Sequence, residues 1–226
     1  MTSHPRALRT DPCHWQETVG EQIANTVTHG IGAVLSVAGL VLLVVRASLN
    51  GTTLDLAALS LYGGTLVLLY FASTLYHAVR GPRTRQICRM LDHGAIFLLI
   101  AGTYTPFALI SLGGVRGWGL FVVIWGLAVT GVLLKIFRRD EWPRGSLVFY
   151  LAMGWLMVVA VGDLIAALGT DGFLWLALGG LAYTGGVVFY LWDRLPFNHA
   201  VWHLFVLTGS ACHFIAVLFY VAPRAA

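Results

Sequence analysis

The sequence is poor in charged residues. Only 11% of its 226 residues are Asp, Glu, Lys or Arg, whereas 58% are hydrophobic. A typical soluble domain carries about 25% charged residues. This chain therefore lacks the side chains to form a normal water-facing surface, which excludes a soluble globular protein and predicts an integral membrane protein.

Cysteine is also scarce, and its spacing excludes two kinds of site. Cys13, Cys88 and Cys212 are the only three in the chain. They show no C-x-x-C pair, which argues against a cysteine-ligated metal. We expect unpaired thiols, the first two of them on the reducing cytoplasmic side of the membrane.

Residues 1–25 also lack the compact apolar core of a signal peptide. Trp15, Val19 and Ile23 instead recur every four residues. This spacing predicts a short helix that lies along the membrane interface. We interpret residues 1–25 as a cytoplasmic N-terminal segment.

Long apolar runs make up most of the remaining sequence. A helix needs about 20 apolar residues to cross the hydrocarbon of a bilayer. Seven runs of this kind occur, at about 26–46, 56–79, 91–112, 117–137, 146–168, 173–192 and 199–221. The connections are short, so the sequence predicts an all-α bundle of seven transmembrane helices in one domain, 26–221, with a short external tail, 222–226.

The basic residues predict the orientation of these spans. Eleven of the 14 lysines and arginines precede the first span or follow the second, fourth and sixth; only Arg46, Arg116 and Arg224 fall on the other side. By the positive-inside rule, the N-terminus is cytoplasmic and the C-terminus is outside. The net charge of +4 belongs to this topology signal and does not indicate nucleic-acid binding.

Three of the predicted spans bring polar side chains to the cytoplasmic side. His199 and His203 open the last span four residues apart, so a helix places both on one face. Ser73 and His77 have the same spacing at the inner end of the second span, and Asp92 opens the third. Ionisable residues at membrane depth are costly and usually functional.

These residue types suit a zinc site. Three neutral imidazoles leave one open position in the tetrahedral arrangement of catalytic zinc, which a water fills. Asp92 would then orient a ligand or accept a proton from the water, and Ser73 would hold the water. A histidine near the interface is, however, also commonly a hydrogen-bonded or snorkelling side chain. The residue pattern by itself leaves both interpretations open.

A second polar stripe leads into the first span. Glu21, Asn25 and His29 are spaced by four residues and align on one helix face. They are candidates to support the metal ligands through hydrogen bonds, or to form a separate proton or ion site. Alternatively, these side chains form the solvent-exposed polar face of an interfacial helix. This alternative applies best to Glu21 and Asn25.

The same residues carry a family resemblance. The run E-x-x-x-N-x-x-x-H, then S-x-x-x-H, then the aspartate of "LDHGAIFLL", then H-x-x-x-H, resembles the progestin and adipoQ receptor family, and most of all its bacterial hemolysin III branch. The resemblance covers all seven predicted spans in order.

The resemblance implies ligands and a topology. Adiponectin receptors of this family bind zinc through histidines that correspond to His77, His199 and His203. It implies that Asp92 lies near a zinc-bound water, with Ser73 beside it, and that the N-terminus is inside. His93 is outside this set and is a candidate to support it. The chain lacks an extended N-terminal domain, so a hormone-receptor role does not transfer.

Three functions are compatible with these observations. The first is a zinc-dependent hydrolase acting on a membrane lipid, in particular an amide, in the bacterial cytoplasmic membrane. The second is a non-enzymatic regulator or sensor of membrane state with a structural zinc. The third is a cytolytic pore, which the sequence disfavours because polar residues concentrate in the inner half of the spans. Protein partners cannot be assigned from the sequence.

Overall fold

The computed structural model describes residues 18–138 and 143–223, except for the side chains of residues 143 and 144. These residues form helices, without any strand in the described ranges. The long helices are α1 (Val19–Asn50), α2 (Thr53–Ala78), α3 (Pro82–Pro106), α4 (Gly114–Arg138), α5 (Pro143–Trp155), α6 (Val161–Tyr190) and α7 (Asn198–Ala216). Shorter helical turns extend α3 over Phe107–Leu112, join α5 to α6 over Leu156–Ala160, and extend α7 over Val217–Val221.

Two of the helices begin with the same capping arrangement. The Thr18 hydroxyl accepts from the backbone N–H of Glu21, and the Glu21 carboxylate accepts from the backbone N–H of Thr18. Thr52 and Asp55 form the matching pair at the start of α2. Each pair satisfies backbone N–H groups that the first helical turn leaves without a partner.

Helix α1 begins earlier than the predicted first span. Val19 and Ile23, which the periodicity assigned to an interfacial helix, belong to its first turns. The remainder of that predicted helix, including Trp15, lies outside the described residues, as do residues 224–226 of the predicted tail.

Six helical segments of the described chain are long and apolar enough to cross a membrane. They are Val19–Asn50, Thr53–Ala78, Pro82–Leu112, Gly114–Arg138, Gly145–Tyr190 and Asn198–Val221. Large apolar side chains such as Val34, Val122 and Leu204 are exposed on the outside of the bundle, whereas Asn25 and His203 are buried within it. This inverse distribution of polarity suits a lipid environment.

The fifth of these segments contains two of the predicted spans. Its 46 residues would reach about 69 Å as one straight helix, at about 1.5 Å per residue. Instead, Trp155 Nε1 donates to Thr184 Oγ1 at 3.0 Å, so the chain folds back between them. The reversal lies at Gly169, whose backbone has φ 69° and ψ 173°, a conformation that is open essentially to glycine alone.

Helices α1 and α7 pack side by side and run in the same direction. Glu21 contacts Phe197 and Thr28 contacts His203. Further along, Leu207 packs over Gly32 and Phe214 packs over Gly39. Because the partners advance together along both helices, the two are parallel. The start of α7 therefore lies beside the start of α1.

Candidate metal centre

Three histidines from two helices converge at one end of the bundle. His77 lies in the last turn of α2, and His199 and His203 lie in the first two turns of α7. Each offers one ring nitrogen, and these atoms all lie within 4.8 Å of one another. The ring centroids are 4.6 Å apart for His199 and His203, and 5.0 Å from His77 to each of them. This proximity is what a shared metal ion requires.

The orientation of His203 is set by a threonine of α1. Thr28 Oγ1 lies 3.1 Å from His203 Nδ1. The threonine proton is already directed at backbone carbonyls, since Oγ1 also lies 2.8 Å from the oxygen of Ala24. Thr28 therefore accepts from Nδ1–H, which leaves the lone pair of Nε2 free for a metal. Hydrogen bonds of this kind orient metal-binding histidines in many proteins.

Asp92 and Ser73 lie beside the histidines in a shared cavity. Both side chains are buried, and both line a cavity of about 230 Å³ that His199 and His203 also border. The Ser73 side chain lies within reach of the Asp92 carboxylate, and its hydroxyl has no other hydrogen-bond partner among the described residues. A buried hydroxyl of this kind is available for a water or a substrate group.

Glu21, Asn25 and His29, the polar stripe that leads into the first span, differ in how close they lie to the three histidines. His29 is buried and stacks on His203, with ring centroids 3.5 Å apart and planes 15° from parallel. Neither of its ring nitrogens has a hydrogen-bond partner among the described residues. Asn25 is buried one turn before it. Glu21 does not reach the histidines; its carboxylate accepts from the backbone N–H of Phe197.

His93 lies outside the group of three histidines. Its side chain is half-buried and lines the cavity. Its backbone carbonyl accepts from the Tyr150 hydroxyl at 2.8 Å, which ties α3 to α5. His93 can therefore contact a molecule in the cavity without belonging to the donor set.

Lys135 is a cavity residue that was not among the predicted site residues. It is one of the eleven basic residues assigned to the cytoplasmic side, but it lies within α4 and only 6% of its surface is exposed. It lines the cavity and interacts electrostatically with Asp92. The spacing of Ala128, Gly131 and Lys135, which share one face of α4 and are all buried, was the available signal.

The donor set fits zinc. Three neutral imidazoles, two of them buried and one half-buried, are typical ligands of this ion and leave one coordination position for a water. The tautomer that Thr28 favours for His203 would direct the lone pair of Nε2 to such an ion. Asp92 is not one of the three clustered residues, but it lines the same cavity as His199 and His203.

The chain matches one protein family over most of its length. The family model described as "Haemolysin-III related" matches residues 18–214. This chain belongs to that family. The match begins at the Thr18 cap of α1 and includes all three histidines of the cluster, so it covers the fold and the candidate site together.

Curated relatives extend over nearly the whole chain. It is 50% identical to "Hemolysin-3" of Bacillus cereus over 92% of this chain and 94% of that protein. It is 47% identical to the "Hemolysin-3 homolog" of Bacillus subtilis (strain 168) over 90% and 95%. A human relative, "Monocyte to macrophage differentiation factor", is 32% identical over 91% and 87%. The haemolysin III family and the apolar helices together identify a membrane protein.

Proposed function

We propose that this haemolysin III family protein is a zinc-dependent hydrolase that acts on a membrane lipid, with a lipid amide as the substrate class. The observation that carries the proposal is the convergence of His77, His199 and His203 within 4.8 Å, next to a buried carboxylate. Structural zinc sites normally fill all four positions with protein ligands, whereas catalytic sites use three. Three histidines therefore favour chemistry over a purely structural role.

The three histidines would hold the ion. When bound, zinc acidifies a water molecule and polarises a substrate carbonyl. Asp92 would accept the proton of that water and pass it to the leaving amine. Ser73, whose buried hydroxyl lies next to the Asp92 carboxylate, would donate to the developing oxyanion. Lys135 would stabilise the charge of Asp92.

The rest of the cavity supports a lipid substrate. Apolar side chains of five helices line it, among them Leu69, Ile96, Leu147, Val187 and Val206. Walls of this kind bind an acyl chain by removing it from water, and they bring its carbonyl next to the polar end that contains Asp92.

Two variants test this function in purified protein. His203→Ala should lose both bound zinc and turnover of a long-chain lipid amide, and Asp92→Asn should retain zinc but lose turnover. Thr26→Val is the control, because Thr26 bonds the backbone carbonyl of Gln22 and is not among the residues that line the cavity. Full turnover in both His203→Ala and Asp92→Asn would contradict the proposal.

The second candidate is a non-enzymatic regulator or sensor of membrane state in which the zinc is structural. The position of the ligands favours it, because a metal would join the end of α2 to the start of α7. In that case Asp92→Asn would have little effect, and a chelator would lower the stability of the bundle. A cytolytic pore, which the names of the two Bacillus relatives suggest, requires that vesicles containing the purified protein leak ions.

We further propose seven membrane crossings, with the N-terminus in the cytoplasm and the C-terminus outside, in the bacterial cytoplasmic membrane. Parallel α1 and α7 require an odd number of crossings between them, whereas six undivided segments would leave four. The reversal at Gly169 supplies that number, because it divides the segment Gly145–Tyr190 into two antiparallel halves. The distribution of basic residues favours the cytoplasmic N-terminus.

A further inference from the structure

Helix α7 starts from a residue in an unfavourable backbone conformation. Phe197, directly before α7, has φ 58° and ψ 21°, and it is the only non-glycine residue with positive φ in the described part of the chain. A bulky side chain is unfavourable in this left-handed region, because Cβ comes too close to the following carbonyl oxygen. Such a conformation persists only where surrounding contacts hold it. His199, one of the three clustered histidines, follows two residues later.

Two contacts from α1 hold Phe197. The Glu21 carboxylate oxygen Oε1 accepts from the backbone N–H of Phe197 at 3.0 Å. The phenyl ring lies over Gly20, 3.7 Å from the position that a Cβ atom would occupy there. The other carboxylate oxygen of Glu21 accepts from the backbone N–H and the hydroxyl of Thr18, at 2.8 and 2.9 Å. The carboxylate is therefore fixed from both sides.

The conformation of Phe197 sets the direction of the first turn of α7. Its carbonyl accepts the first helical hydrogen bond, from Val201 N at 3.0 Å. That turn carries His199, and the next carries His203. A rotation at Phe197 would therefore move both imidazoles relative to His77, which is anchored on another helix.

We propose that Glu21 is a positioning residue for the metal centre: by holding Phe197 in the left-handed conformation, it aligns His199 and His203 with His77. This inference rests on the proposed metal site. It differs from a direct role for Glu21 at the ligands, which its contacts exclude, and it assigns an effect to a carboxylate that never touches the metal.

Zinc binding by the full chain in detergent tests the proposal. The dissociation constant for Zn²⁺ is measured by competition with a chromophoric chelator. Glu21→Ala should weaken binding by about 10- to 100-fold, the usual effect of losing an outer hydrogen bond of a metal site. Asp55→Ala is the matched control, because Asp55 forms the same cap with Thr52 at the start of α2 and has no link to α7. Its zinc affinity should stay within about threefold of wild type.

Phe197→Gly provides the second test. Glycine adopts positive φ without strain, so the helix start no longer depends on Glu21. The loss of affinity caused by Glu21→Ala should therefore be clearly smaller in the Phe197→Gly background than in the wild type. If Glu21→Ala does not fold, the same comparison is made with Glu21→Gln, in which one amide oxygen must serve both Phe197 and Thr18.

The outcomes are distinct. If wild-type protein binds zinc and Glu21→Ala binds it equally tightly, the positioning role of Glu21 is wrong. An equal loss in Glu21→Ala and Asp55→Ala would also overturn it, because general weakening of a helix cap would then explain the effect. If the wild type binds no zinc, the proposed metal site itself fails.

Discussion

Thr28 Oγ1 of α1 lies 3.1 Å from Nδ1 of His203 in α7. The threonine spans 175 positions of sequence to fix the ring of one of the three clustered histidines. A hydrogen bond to one ring nitrogen determines which nitrogen presents a lone pair to a metal.

Thr28→Val should therefore weaken zinc binding. Valine keeps the shape of the side chain and removes the acceptor for Nδ1–H, so we expect an affinity lower by about tenfold or more. Zinc competition titration of the purified protein measures this. Thr26→Val is the control, because Thr26 bonds only the backbone carbonyl of Gln22; an equal loss in both variants would contradict the role of Thr28.

Lys135 and Asp92 should show energetic coupling. Both side chains are buried and line the same cavity, and burying a charge that has lost a nearby opposite charge is unfavourable. Lys135→Met should therefore lower the free energy of unfolding, measured by denaturant titration in micelles. The double variant Lys135→Met/Asp92→Asn should lose less than the sum of the single variants.

Arg138→Met is the control for this cycle. Arg138 lies in the same last turn of α4, but its side chain is exposed. Its replacement should change the free energy of unfolding by less than about 0.5 kcal/mol. Additive losses for Lys135→Met and Asp92→Asn would show that the two groups do not interact.

Gly131 permits the close packing of α3 and α4. A Cβ atom at this position would lie 2.5 Å from Cδ1 of Phe97, whose ring is fully buried. Gly131→Ala should destabilise the protein by about 1–3 kcal/mol, as overpacking does. Gly126→Ala, on the same helix with nothing within 4 Å, should be neutral or slightly stabilising. Thermal unfolding in micelles separates the two, and equal melting temperatures would refute this packing role.

Cysteine labelling should reveal the seven crossings. In a chain with its native cysteines replaced, Asn50→Cys and Asp171→Cys should react with a membrane-impermeant maleimide in intact cells. Arg80→Cys should react only after the cells are opened. All three side chains are exposed, so accessibility depends on the membrane alone. If Asp171→Cys reacts only in opened cells, the proposed pair of crossings around Gly169 is wrong.

Much of the candidate site could be predicted from local spacing. The i, i+4 relation of His199 and His203 is a property of any helix, and the chain order of apolar runs placed His77 and Asp92 near the same end. Their convergence is what the structure shows. The family assignment from the same motifs is also confirmed by the match over residues 18–214.

Other features could not be predicted in this way. The burial of Lys135 depends on which face of α4 turns toward α3. The hydrogen bond from Phe197 to Glu21 depends on a left-handed backbone conformation at Phe197. A phenylalanine in the sequence does not predict that conformation. The reversal at Gly169, which lies inside one of the six apolar segments, was also not evident from the apolar runs.

The sequence alone determined that this protein is a helical membrane protein, because composition and helical periodicity are local properties that the bilayer constrains strongly. Its spaced polar motifs carried the resemblance to the family. Only the tertiary structure decided which side chains of α1, α4 and α7 meet around the cavity. Hydrogen bonds between α1 and α7 join residues more than 170 positions apart, as for Glu21 and Phe197 and for Thr28 and His203. They depend on the rotation and depth of each helix, which packing sets and no short stretch of sequence encodes.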